Sequence, residues 1–170
     1  WLQLGVPQIV AGETALVGTA RRLLIRDLDT TSSDEACLGE LLRRAQQLSP
    51  AGWLLLVEPG LRLGPAMLHN LQQLCRPGTP RRLVLGRAWE VEANLPADAA
   101  RSEAGVNRWL GQVGRLEPVE QCSWVLLPRG AFLEAPRQLA CRPGEAIGWL
   151  AQRAHRSGWP LLDATAAAQC

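Results

Sequence analysis

The chain has 170 residues, a formal net charge of +2 and 47% hydrophobic residues, which is typical of one globular domain with a sizeable core. So small a charge argues against a nucleic-acid partner or an anionic membrane surface, and the three Arg-Arg pairs are interpreted as solvated ends of secondary structure. No apolar run approaches the ~20 residues that a membrane span requires, and no secretory signal is recognisable.

The first part of the chain combines short apolar runs with one strongly periodic segment. The runs predict strands at residues 6–10 and 23–25. Ser32 and Glu35 form a capping box at the start of a predicted helix that extends to Leu48. Apolar residues recur along this helix at helical spacing, and they are Leu38, Leu41, Leu42, Ala45 and Leu48.

The next segment combines the features of a binding site. Trp53–Val57 is an unbroken apolar run, typical of a strand that is buried on both faces in the middle of a sheet. Glu58 is the first charge after it, Pro59-Gly60 fits the central positions of a type II turn, and Pro65 suits the first position of a helix. Ligands of open α/β sheets bind outside the carboxyl ends of the strands, so we expect Glu58 to lie at a binding site.

Strands and helices continue to alternate in the second half of the chain. Residues 94–112 are polar and poorly periodic, and they are predicted to form a mobile loop with one short helix. The alternation predicts a single α/β domain over residues 1–170, with helices packed on a mainly parallel sheet. The other predicted elements are helices at residues 65–75 and 145–156 and strands at residues 82–87, which continues toward residues 89–92, at 122–127 and at 160–162.

The five cysteines are scattered along the chain, with no Cys-x-x-Cys motif and no paired histidine. A zinc site is therefore not expected. An odd number of cysteines without a disulfide framework favours reduced thiols, so we predict a cytoplasmic protein.

Four motifs follow one another along the chain: Val57-Glu58-Pro59-Gly60 within residues 51–65, Gly86-Arg87-Ala88-Trp89-Glu90 within residues 83–91, Leu127-Pro128-Arg129-Gly130 within residues 124–132, and Trp149-Leu150 with Asp163-Ala164-Thr165 within residues 149–165. In this order they resemble the nucleotide-diphospho-sugar transferases of the GT-A type, in particular the family-two-like glycosyltransferases. The resemblance implies a three-layer GT-A fold whose first strand would precede Trp1, so that the chain would be truncated at its N-terminus. It also implies a nucleotide-sugar donor, a hydroxyl acceptor and a divalent cation, Mg²⁺ or Mn²⁺.

The resemblance also implies roles for single residues. Glu58 would contact the metal ion, because it occupies the place of the family's acid-x-acid motif, of which this chain keeps one acid. Arg87, Trp89 and Glu90 would line the donor site. Glu145 would be the general base that deprotonates the acceptor, since it is the acid nearest to the position where the family pattern has an Asp.

Each of these residues also has a structural interpretation. Glu58 can be a solvated turn acid, Glu145 can be an acid favoured by the helix dipole, and Trp89 with Glu90 can be the alternation of an edge strand. Two functions therefore remain open: a glycosyltransferase, or a degenerate relative that keeps the fold and binds a ligand or partner protein without turnover. The order of the motifs favours the enzyme, whereas the two altered acid positions favour the binding module.

Overall fold

The structure is a computed structural model, and it describes residues 9–11, 26–28, 38–48, 50–57, 61, 65–76, 78, 80–92, 94–118, 120–134 and 143–166. A short 3-10 helix covers Ala99–Arg101. In chain order the other elements are β1 (Ile9–Ala11), β2 (Arg26–Leu28), α1 (Leu38–Leu48), β3 (Trp53–Val57), α2 (Pro65–Leu74), β4 (Leu83–Gly86), β5 (Trp89–Glu90), α3 (Glu103–Val113), β6 (Arg115–Leu116), β7 (Trp124–Pro128), α4 (Pro143–Arg156) and β8 (Leu161–Asp163).

A four-stranded sheet in the order β3-β7-β4-β8 is the centre of the fold. Strand β7 is antiparallel to both β3 and β4, whereas β8 is parallel to β4. The predicted α/β class is therefore confirmed, but the sheet is mixed rather than mainly parallel. The reason is the connection from β4 to β7: β4 ends at Gly86, which pairs with Trp124 at the start of β7. The chain thus returns at the edge where it left the sheet, and this makes β7 antiparallel.

Strands β1 and β2 form a two-stranded parallel sheet. Strand β1 overlaps the strand predicted at residues 6–10. Strand β2 begins directly after the strand predicted at residues 23–25, which lies outside the described residues. The predicted capping box of Ser32 and Glu35 also lies outside them, and the helix that follows it is described over α1.

Helices cover both faces of the four-stranded sheet. On one face, α1 and α4 pack against Leu83, Val125 and Leu127. On the other face, α2 packs against Val84, Trp124 and Leu126. Alternate residues of β4 and β7 thus enter opposite clusters, as the pleat of a strand requires. The arrangement of the described residues is therefore helix, sheet, helix.

The most deeply buried strand is not the one that the apolar run at Trp53–Val57 predicts. All five residues of β3 are only half-buried, whereas Trp124 to Leu127 of β7 are buried. The position in the sheet explains the difference, because β7 has a paired strand on each side and β3 lies at one end of the strand order. An apolar run indicates a strand but does not fix its place in the sheet.

The predicted loop at residues 94–112 is largely helical. Helix α3 spans Glu103–Val113, and the Ser102 hydroxyl caps it by accepting a hydrogen bond from the Gly105 amide at 3.0 Å. The one short helix that was predicted is therefore confirmed, but the remainder of the segment is less of a loop than expected. Val106, Trp109 and Leu110 stand at helical spacing and are half-buried, an apolar stripe that the sequence prediction overlooked.

Two arginines cap helices, and one of them, Arg82, belongs to an Arg-Arg pair that was expected to be solvated. Arg82 Nη2 donates to the Leu74 carbonyl at 2.8 Å, and Arg129 Nη2 donates to the Gln46 carbonyl. Both carbonyls lie in the last turn of a helix, where a cation is favourable. None of the described helices combines the length and the apolar character that a membrane crossing requires.

Candidate functional site

The candidate site is the edge of the sheet at which β3, β4 and β8 end, which we call the carboxyl edge. Val57 and Gly86 both pair with Trp124, and Leu85 pairs with Asp163. The ends of three strands therefore meet the beginning of β7 at one edge. Such an edge is the usual place for a ligand in an α/β sheet.

Asp163 and Thr165 connect the end of β8 to the end of β4. The Thr165 amide donates to Asp163 Oδ1 at 2.8 Å, and the Arg87 amide donates to Thr165 Oγ1 at 3.1 Å. Hydrogen bonds from the Thr165 hydroxyl and amide lower the pKa of Asp163, the positive charge of Arg87 lowers it further, and partial burial opposes both effects. Asp163 is therefore a carboxylate at neutral pH.

Glu117 is the most buried acid of the edge, with 9% of its surface exposed. Its Oε2 accepts hydrogen bonds from the Ala88 amide at 2.8 Å and from the Ser123 hydroxyl. The Glu117 carbonyl accepts a hydrogen bond from Arg87 Nη1 at 3.0 Å. No sequence pattern identifies Glu117, because a single acid between Leu116 and Pro118 belongs to no motif or periodic stripe.

Arg87, predicted to line the donor site, lies at the carboxyl edge and is half-buried. Two of its groups are held, the amide by Thr165 and Nη1 by Glu117. Its Nε is buried and has no hydrogen-bond partner in the described structure. An atom buried this completely is not reached by a ligand in this conformation, so the positive charge of Arg87, rather than Nε, is the feature that would attract an anion to this edge.

Trp89 and Glu90 form strand β5 and pair with Leu116 and Arg115 of β6. Trp89 is half-buried and Glu90 is exposed. The Trp89 ring packs against the backbone of Gly114, since a Cβ added there would lie 2.9 Å from its Cε3. Residues 89 and 90 are extended as predicted, but they do not continue the strand at residues 82–87: β4 ends at Gly86, and β5 belongs to a two-stranded sheet apart from the central one.

The predicted metal contact and the predicted general base stand differently in the structure. Glu58 lies outside the described residues, so its contact with a metal ion stays a prediction. Glu145 is exposed in the first turn of α4. Within the described parts of the chain, no group of three or more His, Cys, Asp or Glu side chains could hold a metal ion.

A cavity of about 230 Å³ lies at the opposite edge of the sheet. Gln46 lines it, and its Oε1 accepts a hydrogen bond from the Gly130 amide at 3.0 Å while its buried Nε2 has no partner. The last turn of α1 faces this edge, and the negative end of a helix dipole disfavours an anion. The cavity is lined by Arg43, Gln46, Gln47, Arg129 and Leu133.

The fold and the polar carboxyl edge define a mixed α/β domain with a candidate anion-binding site. A comparison of the chain with family models, curated proteins and solved structures finds no match. The likeness to glycosyltransferases therefore rests on the four sequence motifs alone.

Proposed function

We propose that the chain is a glycosyltransferase-like protein that transfers a sugar from a nucleotide-sugar donor to a hydroxyl acceptor. The observation that carries the proposal is the state of Arg87 at the carboxyl edge. Its backbone amide and Nη1 are held by hydrogen bonds to Thr165 and to the Glu117 carbonyl, which fix the side chain at this edge. Arg87 is only half-buried, and its positive charge attracts an anion that binds at the edge.

A nucleotide-sugar donor supplies such an anion. Negative charge builds on the diphosphate as the bond to the sugar breaks, and a preorganised cation close to that charge lowers the barrier. The guanidinium of Arg87 can donate two parallel hydrogen bonds to phosphate oxygens. Trp89 follows two residues later on β5 and offers a flat surface to the donor, with Glu90 beside it.

The acceptor hydroxyl requires a general base, and Glu145 is the residue of the described chain that we propose for it. Helix α4 ends at Arg156 and β8 begins at Leu161, so a short connection reverses the chain between them. A helix joined to a strand in this way packs antiparallel to it, which brings the start of α4 towards the end of β8. Glu145 is exposed and accessible to an acceptor.

A divalent cation, Mg²⁺ or Mn²⁺, would neutralise charge on the diphosphate when bound. The described residues do not form a site for it, and Glu58 lies outside them. Glu58 remains the residue that we propose as the metal contact, and no step described above depends on it.

A second candidate function is a binding module with the same fold and no turnover. The sequence favours it at two positions, because Glu58-Pro59-Gly60 holds one acid where the resembled family has two, and Ile147-Gly148 replaces the Asp of the family pattern. Such a protein would use the same edge to bind a ligand or a partner protein.

Thermal-shift assays and calorimetry with a panel of nucleotide sugars, with and without Mn²⁺, test the proposal. We expect stabilisation by one donor that is lost in Arg87→Ala and retained in Arg156→Ala, a variant of an exposed arginine at the end of α4. Loss of the Mn²⁺ effect in Glu58→Ala would support the metal contact. Donor binding without sugar transfer would favour the binding module. If no nucleotide sugar changes the stability of the protein, the carboxyl edge does not bind these donors, and the transferase proposal is contradicted.

A further inference from the structure

We infer that Glu117 is a positioning residue, which fixes Arg87 and closes the base of the segment between β4 and β7. The part of the inference that treats Arg87 as an anion contact rests on the function proposed above. The closure itself rests on the hydrogen bonds of Glu117 alone.

The segment between β4 and β7 leaves the sheet and returns to it at the same place. We call residues 89–116 the excursion, and residues 87–88 with 117–118 its neck. The excursion contains β5, the 3-10 helix, α3 and β6. No residue of α3 is fully buried, so packing holds the excursion only weakly. The hydrogen bonds of the neck add to that hold.

Glu117 joins both sides of the neck to the sheet. Its amide donates to the Ala88 carbonyl at 3.0 Å, and its Oε2 accepts from the Ala88 amide at 2.8 Å. The same Oε2 accepts from the hydroxyl of Ser123, a residue with 2% exposure whose amide donates to the Gly86 carbonyl at 3.0 Å. One carboxylate therefore ties three pieces of backbone together: the outgoing side of the neck, the returning side and the start of β7.

The same residue also determines where Arg87 points. The acceptor of Arg87 Nη1 is the Glu117 carbonyl, at 3.0 Å. If the carboxylate were lost, the Ala88 amide and the Ser123 hydroxyl would lack an acceptor in a buried place, and the backbone of residue 117 would keep only the bond from its amide to the Ala88 carbonyl. The carbonyl that orients the guanidinium would then be held less firmly.

Variants of Glu117 separate these effects. Glu117→Gln keeps a carbonyl oxygen that can accept both hydrogen bonds, whereas Glu117→Ala keeps none. Ser123→Ala removes a single donor and serves as a milder variant if Glu117→Ala fails to fold. Glu120→Ala is the matched control, because Glu120 is an exposed acid three residues further along the chain.

Two measurements test the inference: hydrogen exchange of peptides that cover the neck and excursion, and calorimetric titration with inorganic pyrophosphate. For Glu117→Ala we expect faster exchange at the neck and roughly tenfold weaker pyrophosphate binding, the consequence of one lost buried hydrogen-bonding group. Glu117→Gln should restore most of both, Ser123→Ala should lie between, and Glu120→Ala should match the wild-type protein.

Equal exchange in Glu117→Ala and Glu120→Ala would overturn the closure of the neck. Faster exchange together with unchanged pyrophosphate binding would overturn the positioning of Arg87. A wild-type protein that binds no pyrophosphate would overturn the proposed function, while exchange at the neck, which needs no ligand, would still decide the closure.

Discussion

Asp163 is an acid at the carboxyl edge whose pKa is lowered by its neighbours. Hydrogen bonds from Thr165 and the charge of Arg87 lower its pKa from the ordinary value of 3.8. A carboxylate whose pKa is lower in the folded protein stabilises the fold above the unfolded-state pKa, and this contribution is lost as the pH falls through the folded-state pKa.

We therefore expect Asp163→Asn to lower the free energy of unfolding by about 0.5 kcal/mol at neutral pH, the scale of an exposed charge interaction. The difference from the wild-type protein should disappear as the pH falls below 3.8. Urea denaturation at neutral and acid pH measures it. Asp98→Asn changes an exposed acid elsewhere, and an equal effect in that variant would contradict the prediction.

Gly86 illustrates a residue whose identity is fixed by its neighbour. A Cβ at this position would lie 1.9 Å from Cζ2 of Trp124, a side chain with 1% exposure. The indole ring therefore occupies the space that any larger residue would need, next to the end of β4.

We predict that Gly86→Ala destabilises the protein by about 3 kcal/mol, because the buried ring must be displaced. Gly148→Ala is the control, since a Cβ there meets nothing within 4 Å on the exposed side of α4, and helix propensity predicts a gain of about 1 kcal/mol. Thermal denaturation of both variants measures the contrast. A Gly86→Ala variant as stable as the wild-type protein would refute the packing described here.

At the scale of the element, the stability of α3 depends more on the hydrogen bonds at its ends than on the packing of its faces. Its residues are at most half-buried, so tertiary packing contributes little, and a helix of this length is only marginally stable by itself. The Ser102 cap is therefore a large part of what defines the helix.

Ser102→Ala should remove about 1 kcal/mol from the local stability of α3. Since α3 buries no residue, we expect hydrogen exchange to accelerate within the helix while the melting temperature of the whole protein stays nearly unchanged. Ser157→Ala alters an exposed serine beyond α4 and should leave exchange in α3 as it is. A large fall in the melting temperature of Ser102→Ala would mean that α3 contributes to the core.

At the scale of the whole molecule, apolar patterns predicted the layered part of the fold. Helices α2 and α4 and strands β4, β7 and β8 lie within two residues of their predicted ends. The helices have a buried side that imposes a period on the sequence, and β4 and β7 are continuous apolar runs. Strand β8 is exposed, and only its two leucines between Pro160 and Asp163 indicated it. The direction of β7 was not predictable, since Trp124 to Leu127 would be just as apolar in either direction.

The polar part of the site was predictable only where it directly follows a strand. Arg87 was assigned to the site from the motif that follows the strand at residues 82–87, and Asp163 was noted only as part of the motif that follows the last strand. Glu117 and Ser123 were not, since the contact of Glu117 with Ala88 and that of Ser123 with Gly86 join residues that are distant in sequence and become neighbours only in the fold. A single sequence contains no signal for such a pairing.

The two ends of the excursion are hydrogen-bonded to each other at the neck, so the excursion can be replaced without a change in the central sheet. Ala88 and Glu117 are bonded to each other across the neck, so a chain of almost any length could span them without moving β4 or β7, because lengthening a closed loop adds little entropy cost. Relatives of this domain could therefore diversify what they recognise by exchanging one surface insertion, while the layers beneath it stay the same.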